Sequence, residues 1–401
     1  MSVIVQKYGG SSLADIEKLK KISEMIAAVK KQGFDIVVVV SAMGKTTNSL
    51  IEMAKEISPN PSSREMDMLL STGERTTMAL LCIALNELGV EAISLTGSQA
   101  GIITNDRHND ARVIEVRPVR VQDELEKGKV VVIGGFQGVS YKRDITTLGR
   151  GGSDTSAVAL AAALSAERCE IYSDVDGVYT SDPNMIKDAK HLPEISYQQI
   201  QEMVEAGAKV LNAQAVQFVK DAKIALYARS TFKRGKETVV RELAPADKPQ
   251  VIAVVYESDI TRVIYKNENM NKSFRELFKF LEESDIPVKE LNLIEDDIPD
   301  YSKASFIISK NNIHGWEKVE IELKDIFGDD LHLDHSFGAV SLIGEGFSKD
   351  NRVVTETLDV LKKNNVKHYG LATTSFRLSL LIKKASIKDT VRLLHNYWIE
   401  K

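Results

Sequence analysis

Cysteine is nearly absent: only Cys82 and Cys169 occur in 401 residues, and neither has another Cys or a His at metal-ligand spacing. That excludes a disulfide framework and a zinc site, and it makes a reducing compartment, the cytoplasm, the expected location. A long basic stripe is also missing and the formal net charge is -5, so neither nucleic acid nor a membrane surface is expected as a partner. Met1 to Gln6 shows no basic leader, and no apolar run approaches the roughly 18 residues that span a bilayer. Gly44-Lys45-Thr46 has the tail of a P-loop, but Val39 stands where its first glycine belongs. Asp174 and Asp176 lack the closing glutamate of a twelve-residue calcium loop, so no metal site is expected. What is present is a globular composition, 43% hydrophobic and 27% charged, in a chain long enough for two or three domains.

The most informative stretch is Thr146-Thr147-Leu148-Gly149-Arg150-Gly151-Gly152-Ser153-Asp154-Thr155-Ser156-Ala157, a glycine-rich turn running into an alanine-rich helix. With Ser153 or Asp154 as N-cap, the helix would aim its free N–H groups and positive dipole end at whatever lies over the glycines, which favours an anion. Arg150 adds a planar fork for a carboxylate or phosphate, and Asp154 suits an ammonium group. Together they fit an amino acid.

The same pattern recurs along the first half. Val3-Ile4-Val5 reads as a strand delivering Lys7-Tyr8-Gly9-Gly10-Ser11-Ser12 before a helix from Ile16 to Lys31, an anion cradle with an ammonium at its mouth. Asp35 to Val40 reads as a strand buried on both faces, which implies a parallel sheet covered by helices. Further strands end at Gly134-Gly135-Phe136-Gln137-Gly138, at Ser173 and at Arg229-Ser230-Thr231; Val204 to Leu211 is placed on a helix. Glu74, inside the helical stretch Met66 to Leu88, reads by itself as a solvated helix residue. Turns rich in glycine or hydroxyls at the ends of successive apolar strands indicate one crevice at one edge of a parallel sheet.

Lys7-Tyr8-Gly9-Gly10-Ser11-Ser12, Ser71-Thr72-Gly73-Glu74, Gly135-Phe136-Gln137-Gly138, Thr147 to Asp154, Ser173-Asp174-Val175-Asp176-Gly177-Val178-Tyr179 and Gly207-Ala208-Lys209-Val210-Leu211 resemble, in order, the successive signatures of aspartate kinases. The resemblance spans essentially the whole chain. It implies an α/β amino-acid kinase fold, a mostly parallel sheet covered by helices on both faces, over residues 1–245. The implied reaction moves the γ-phosphoryl of ATP, carried with Mg2+, to the side-chain carboxylate of L-aspartate. In that reading Lys7, Gly9, Gly10 and Ser11 cradle the transferring group. Arg150 holds the α-carboxylate of aspartate, Glu74 and Asp154 its ammonium, and Ser41, Thr47 and Ser153 line the pocket. Ser173, Asp174, Tyr179 and Lys209 map to the nucleotide. Three departures from the family's pattern stand out: Asn184 where arginine often follows Asp-Pro, Asn212-Ala213-Gln214 in place of His-Pro-Arg, and, as a mild change also found in the family, Tyr8 in place of the commoner phenylalanine.

In the second half an offset of 80 aligns Phe278, Leu281, Ile286 and Leu291 with Leu358, Leu361, Val366 and Leu371, the mark of a duplicated module. Each copy reads as strand, helix, strand, strand, helix. Residues 246–335 and 336–401 resemble the paired α+β ACT domains of monofunctional aspartate kinases, which implies lysine or threonine as effectors and a homo-oligomer, at least a dimer, built through them. Lys266-Asn267-Glu268-Asn269-Met270-Asn271 and Ser375 differ from the residues usual near the effector. Two rivals stay open at this point: a kinase for glutamate or an N-acylated amino acid, and a catalytically weak amino-acid sensor.

Overall fold

The computed structural model describes residues 2–208, 210–233, 235–244, 246, 248–267, 274–284, 286–295, 302–310, 313 and 316–400. Lys209, and Glu268-Asn269-Met270-Asn271 of the atypical loop, lie outside the described residues. The chain forms two compact units, one of residues 1–179, 190–204 and 209–244, the other of residues 180–189, 205–208 and 245–401.

The first unit is built on an eight-stranded sheet of β1 (Val3–Tyr8), β2 (Asp35–Val40), β3 (Ala92–Leu95), β4 (Val130–Gly134), β5 (Arg168–Ser173), β6 (Glu194–Ser196), β7 (Ala225–Ser230) and β8 (Glu237–Arg241), beside which Val113–Val116, Ile102–Thr104, Gln137–Ser140 and Ile145–Thr147 form a smaller sheet. The eight lie in the order β6-β8-β7-β5-β1-β2-β4-β3, and every neighbouring pair is parallel except β7 with β8. The run Asp35-Ile36-Val37-Val38-Val39-Val40 explains why such a sheet needs cover on both faces. Ile36, Val38 and Val40 join Ile22, Ile26, Leu81 and Leu85 of helices α1 (Ile16–Lys30) and α2 (Ser63–Glu87) in one core, and strand alternation sends Val37 and Val39 to the other face. There lies α3 (Gly152–Ala163), whose Ala157 to Ala161 are all buried. Helix α4 (Ala213–Ala222) packs on α3.

Three local expectations are corrected. Helix α3 begins at Gly152 with Gly151 as its cap, so Ser153 and Asp154 stand inside the first turn instead of capping it. The helix Tyr197–Glu205 stops before Gly207, whose φ of 103° a helix cannot hold, so Val204 to Leu211 is not helical throughout. Helix α2 is, by length and composition, long and apolar enough to cross a membrane, which the sequence reading did not anticipate; here its buried face packs in the unit and carries Asp67 and Glu74 as well as Leu81 and Leu85.

The second unit holds two four-stranded antiparallel sheets. One joins β9 (Gln250–Glu257), Phe337–Glu345, Arg377–Lys383 and His368–Thr373; the other joins Val288–Glu295, Ser302–Ser309, Ile260–Asn267 and Leu331–Asp334. The repeat is visible in three dimensions. Leu281 and Leu361 are both buried, whereas Leu291 and Leu371 are both exposed on edge strands. Strand β9 pairs with Phe337–Glu345 although the whole other sheet lies between them in sequence. Residues 180–189 belong to this unit too. Val254 N–H donates to Thr180 O at 2.7 Å, and Ile186 is buried with Val254 and Val340.

Candidate active site

The parallel strands end in line. Tyr8 pairs with Val40 and Tyr172, Val40 with Gly134, and Ser173 with Ser230, so the turns that follow share one edge of the sheet. Backbone bonds join these turns to neighbouring strands: Gly9 N–H donates to Tyr172 O, Ser41 N–H to Tyr8 O and Gly135 N–H to Val40 O, at 3.0–3.1 Å. This edge is the crevice expected of an open parallel sheet.

Lys7 points from β1 toward α3, where its Nζ lies 2.7 Å from Asp154 Oδ1. Both side chains are largely buried, 12% and 13% exposed. The contact is one of charges; no directed hydrogen bond reaches that oxygen. Ser41 Oγ donates to Ser153 Oγ at 3.0 Å. The two residues that the sequence offered as helix caps therefore spend their side chains on the crevice.

Glu74 is 3% exposed, not solvated, because the face of α2 that carries it packs under the turn after β2. Its Oε1 accepts the Ala42 N–H at 3.0 Å, and its Oε2 is buried with no partner. Burial pushes the carboxyl up to about 7, against the opposing pull of the Ala42 N–H. A buried, half-satisfied carboxylate is a strong receptor for a cation.

The remaining residues are placed as follows. Gly10 O accepts Gly44 N–H at 3.0 Å, linking the first cradle to the turn after β2. Ser11 is exposed, and its carbonyl accepts Lys18 Nζ. Thr47 is half-buried on the helix Thr46–Ile57, and Arg150 is exposed on its glycine turn. Ser173 Oγ accepts Val175 N–H at 3.1 Å, Asp174 is exposed, and Tyr179 Oη donates to Asp176 Oδ1 at 2.7 Å. Lys7, Ser41, Glu74, Ser153 and Asp154 are thus linked by direct contacts or through one neighbouring residue, while Ser173 ends β5 and Asp174 follows it.

A model of the amino acid kinase family matches residues 2–230. The aspartokinase of Bacillus sp. (strain MGA3) is 39% identical over 398 residues, which cover 98% of this chain and 97% of that one. The chain belongs to the aspartokinase family. Its fold is similar over its full length to E. coli aspartokinase III in complex with aspartate and ADP, at 23% identity and a TM-score of 0.82 with both chains fully covered. The same protein in complex with lysine and aspartate gives a TM-score of 0.74 at 23% identity, with 99% of each chain covered.

Asn212 has a role that its place in the sequence does not announce. It caps α4 by accepting Gln214 N–H and Ala215 N–H, and its Nδ2 donates to Arg150 O at 2.8 Å. The atypical residue is therefore a clamp on the Arg150 turn. Gly151, at a φ of 74°, leaves no room for a Cβ, which would come 2.8 Å from the Asn212 amide. Also missed was Asp67, wholly buried two turns before Glu74 on the same face of α2. Helical spacing of the two carboxylates was the available signal.

Proposed function

We infer that this chain is an aspartokinase, transferring the γ-phosphoryl of ATP to the side-chain carboxylate of L-aspartate to give 4-phospho-L-aspartate and ADP. The observation that carries the reading is likeness to aspartokinases along 98% of the chain. The accepting carboxylate is already a nucleophile and needs no general base. The protein's task is then to orient two anions and to neutralise charge spread over the transferring group.

Lys7 supplies the neutralising ammonium, and Asp154 orients it from 2.7 Å. A side chain at Gly9 would lie 3.5 Å from Lys7 Nζ, so the missing Cβ leaves space beside the ammonium for a phosphoryl oxygen. Gly9, Gly10 and Ser11 complete that cradle, and Mg2+ enters with ATP on its phosphates. The empty lone pairs of Glu74 Oε2 receive the aspartate ammonium, with Asp154 beside it, and Arg150 grips the α-carboxylate. Ser41, Thr47 and Ser153 line this pocket; Ser173, Asp174, Tyr179 and Lys209 serve the nucleotide. We divide the chain into a kinase part, 1–245, and two regulatory modules, 246–335 and 336–401, with β9 contributed to the sheet of the second. Lysine, threonine or both act through the modules. Exposed Leu291, Leu293 and Leu371 on their edge strands support docking of a second copy. Buried free thiols at Cys82 and Cys169 agree with a cytoplasmic setting.

The test is an ATP- and Mg2+-dependent assay that traps the acyl phosphate as a hydroxamate, with L-aspartate against L-glutamate and with lysine or threonine added. Aspartate-only turnover suppressed by an effector is expected; equal turnover of glutamate would sink the substrate assignment. Arg150→Lys should raise the aspartate KM with kcat little changed, because lysine cannot reproduce a bidentate fork. Initial rates over a range of aspartate concentrations check this, and an unchanged KM removes Arg150 from the role.

A further inference from the structure

The loop 105–112 and the glycine turn of Arg150 meet at a buried cluster of polar groups that the phosphoryl-transfer chemistry does not use. At its centre is Asp67, wholly buried on α2. Its Oδ1 accepts Asn109 N–H at 3.0 Å and the Thr147 hydroxyl at 2.5 Å, and its Oδ2 lies 2.7 Å from His108 Nδ1. All the bonds run toward one place. Ala111 N–H donates to Thr147 O at 2.8 Å, and the next turn upward is Leu148-Gly149-Arg150. Gly149, at a φ of 69°, is pressed so closely on this loop that a Cβ there would run into the Asp110 carboxylate. One strand residue back, Thr104 and Thr146 share a buried hydroxyl bond of 2.6 Å.

We propose that Asp67, His108 and Thr147 are positioning residues that fix the height and direction of the Arg150 turn, and so set the affinity for the α-carboxylate of the amino-acid substrate. The proposal rests on the reading of Arg150 as the carboxylate clamp. Arg150 itself is exposed at the tip of a turn with glycine on both sides, a segment with little intrinsic stiffness. A clamp that must meet a carboxylate in bidentate geometry needs its backbone held to a fraction of an ångström. Asn212 holds the turn from the α4 side through Arg150 O, and the Asp67 cluster holds it from the α2 side through Thr147. Because α2 also carries Glu74, one rigid helix spaces the ammonium receptor from the carboxylate clamp, and an amino acid is measured between them.

The decisive variants are His108→Gln, Thr147→Val and the conservative Thr147→Ser, made in the full chain; Asp67→Asn is avoided as a first choice because it would set a donating amide NH2 among buried donors. Expected is a rise in aspartate KM of roughly tenfold or more for His108→Gln and Thr147→Val, with the ATP KM within twofold, and recovery in Thr147→Ser. Amide hydrogen exchange of residues 148–152 should quicken in the first two and not in the third. In an Arg150→Lys background His108→Gln should add little further to KM, since both act on one contact. Wild-type aspartate KM and exchange in both His108→Gln and Thr147→Val overturn the proposal. So does a parallel rise in both KM values with a general gain in exchange, which is plain destabilisation. If Arg150→Lys leaves KM unchanged while His108→Gln raises it and loosens residues 148–152, the positioning role stands and it is the Arg150 clamp that fails.

Discussion

Lys7→Ala is expected to lower kcat roughly 10²-fold or more at saturating ATP and aspartate, the usual cost of losing one preorganised group that meets developing charge. The structure explains why the loss should fall on kcat. Lys7 lies one residue before the end of β1, between two parallel neighbours, so its backbone cannot shift to compensate. Its side chain is only 12% exposed and its ammonium is held by Asp154, and in such surroundings one fixed charge acts far more strongly than it does in water. Lys7→Arg is not expected to restore it, because a planar guanidinium does not reproduce the compact ammonium beside Gly9. Steady-state rates on folded variant, with circular dichroism as the check on fold, decide the matter. Turnover within a few-fold of the parent would take Lys7 out of the transfer step.

The crevice was legible because its parts are local. Each strand announces itself as an apolar run, each turn as glycines and hydroxyls, and the rule that parallel strands open their sites at their carboxyl ends joins them. Long-range burial was not legible in the same way. Nothing near Glu74 in sequence tells that the turn after β2 will close over it. The start of α3 has a long-range neighbour: Asn212 arrives from α4, fills the space where a Cβ on Gly151 would lie and donates to Arg150 O. Strand β9 is similar: its own pattern marks a strand, but its partner Phe337–Glu345 is chosen by a core that includes Val254, Val340 and Leu342. Periodicity reports which face is apolar, whereas partner choice is a property of the folded core.

Glu74 carries the second large prediction, and it concerns pH. The carboxyl sits at about 7 in the folded chain against an ordinary value of 4.5, raised by burial. A group whose folded pKa lies above its unfolded one contributes stability below the unfolded value and loses that contribution as pH rises through the folded value. The ligand-free first unit should therefore weaken between pH 4.5 and about 7, by roughly 3 kcal/mol at about 1.4 kcal/mol per unit. Glu74→Gln should remove that slope. Aspartate reverses the sense: its ammonium favours the ionised carboxylate, so affinity should climb up to tenfold per pH unit below about 7 and level off above, with proton release on binding at acid pH. Glu74→Gln should flatten the profile and weaken aspartate binding roughly 10²-fold, as loss of one partner of a buried ion pair does. Calorimetric titration with aspartate from pH 5.5 to 8.5, in two buffers of different ionisation heat, reads both the affinity and the proton. An affinity independent of pH in the parent protein would mean that the ammonium is received elsewhere, and that the partnerless Oε2 of Glu74 only burdens the fold.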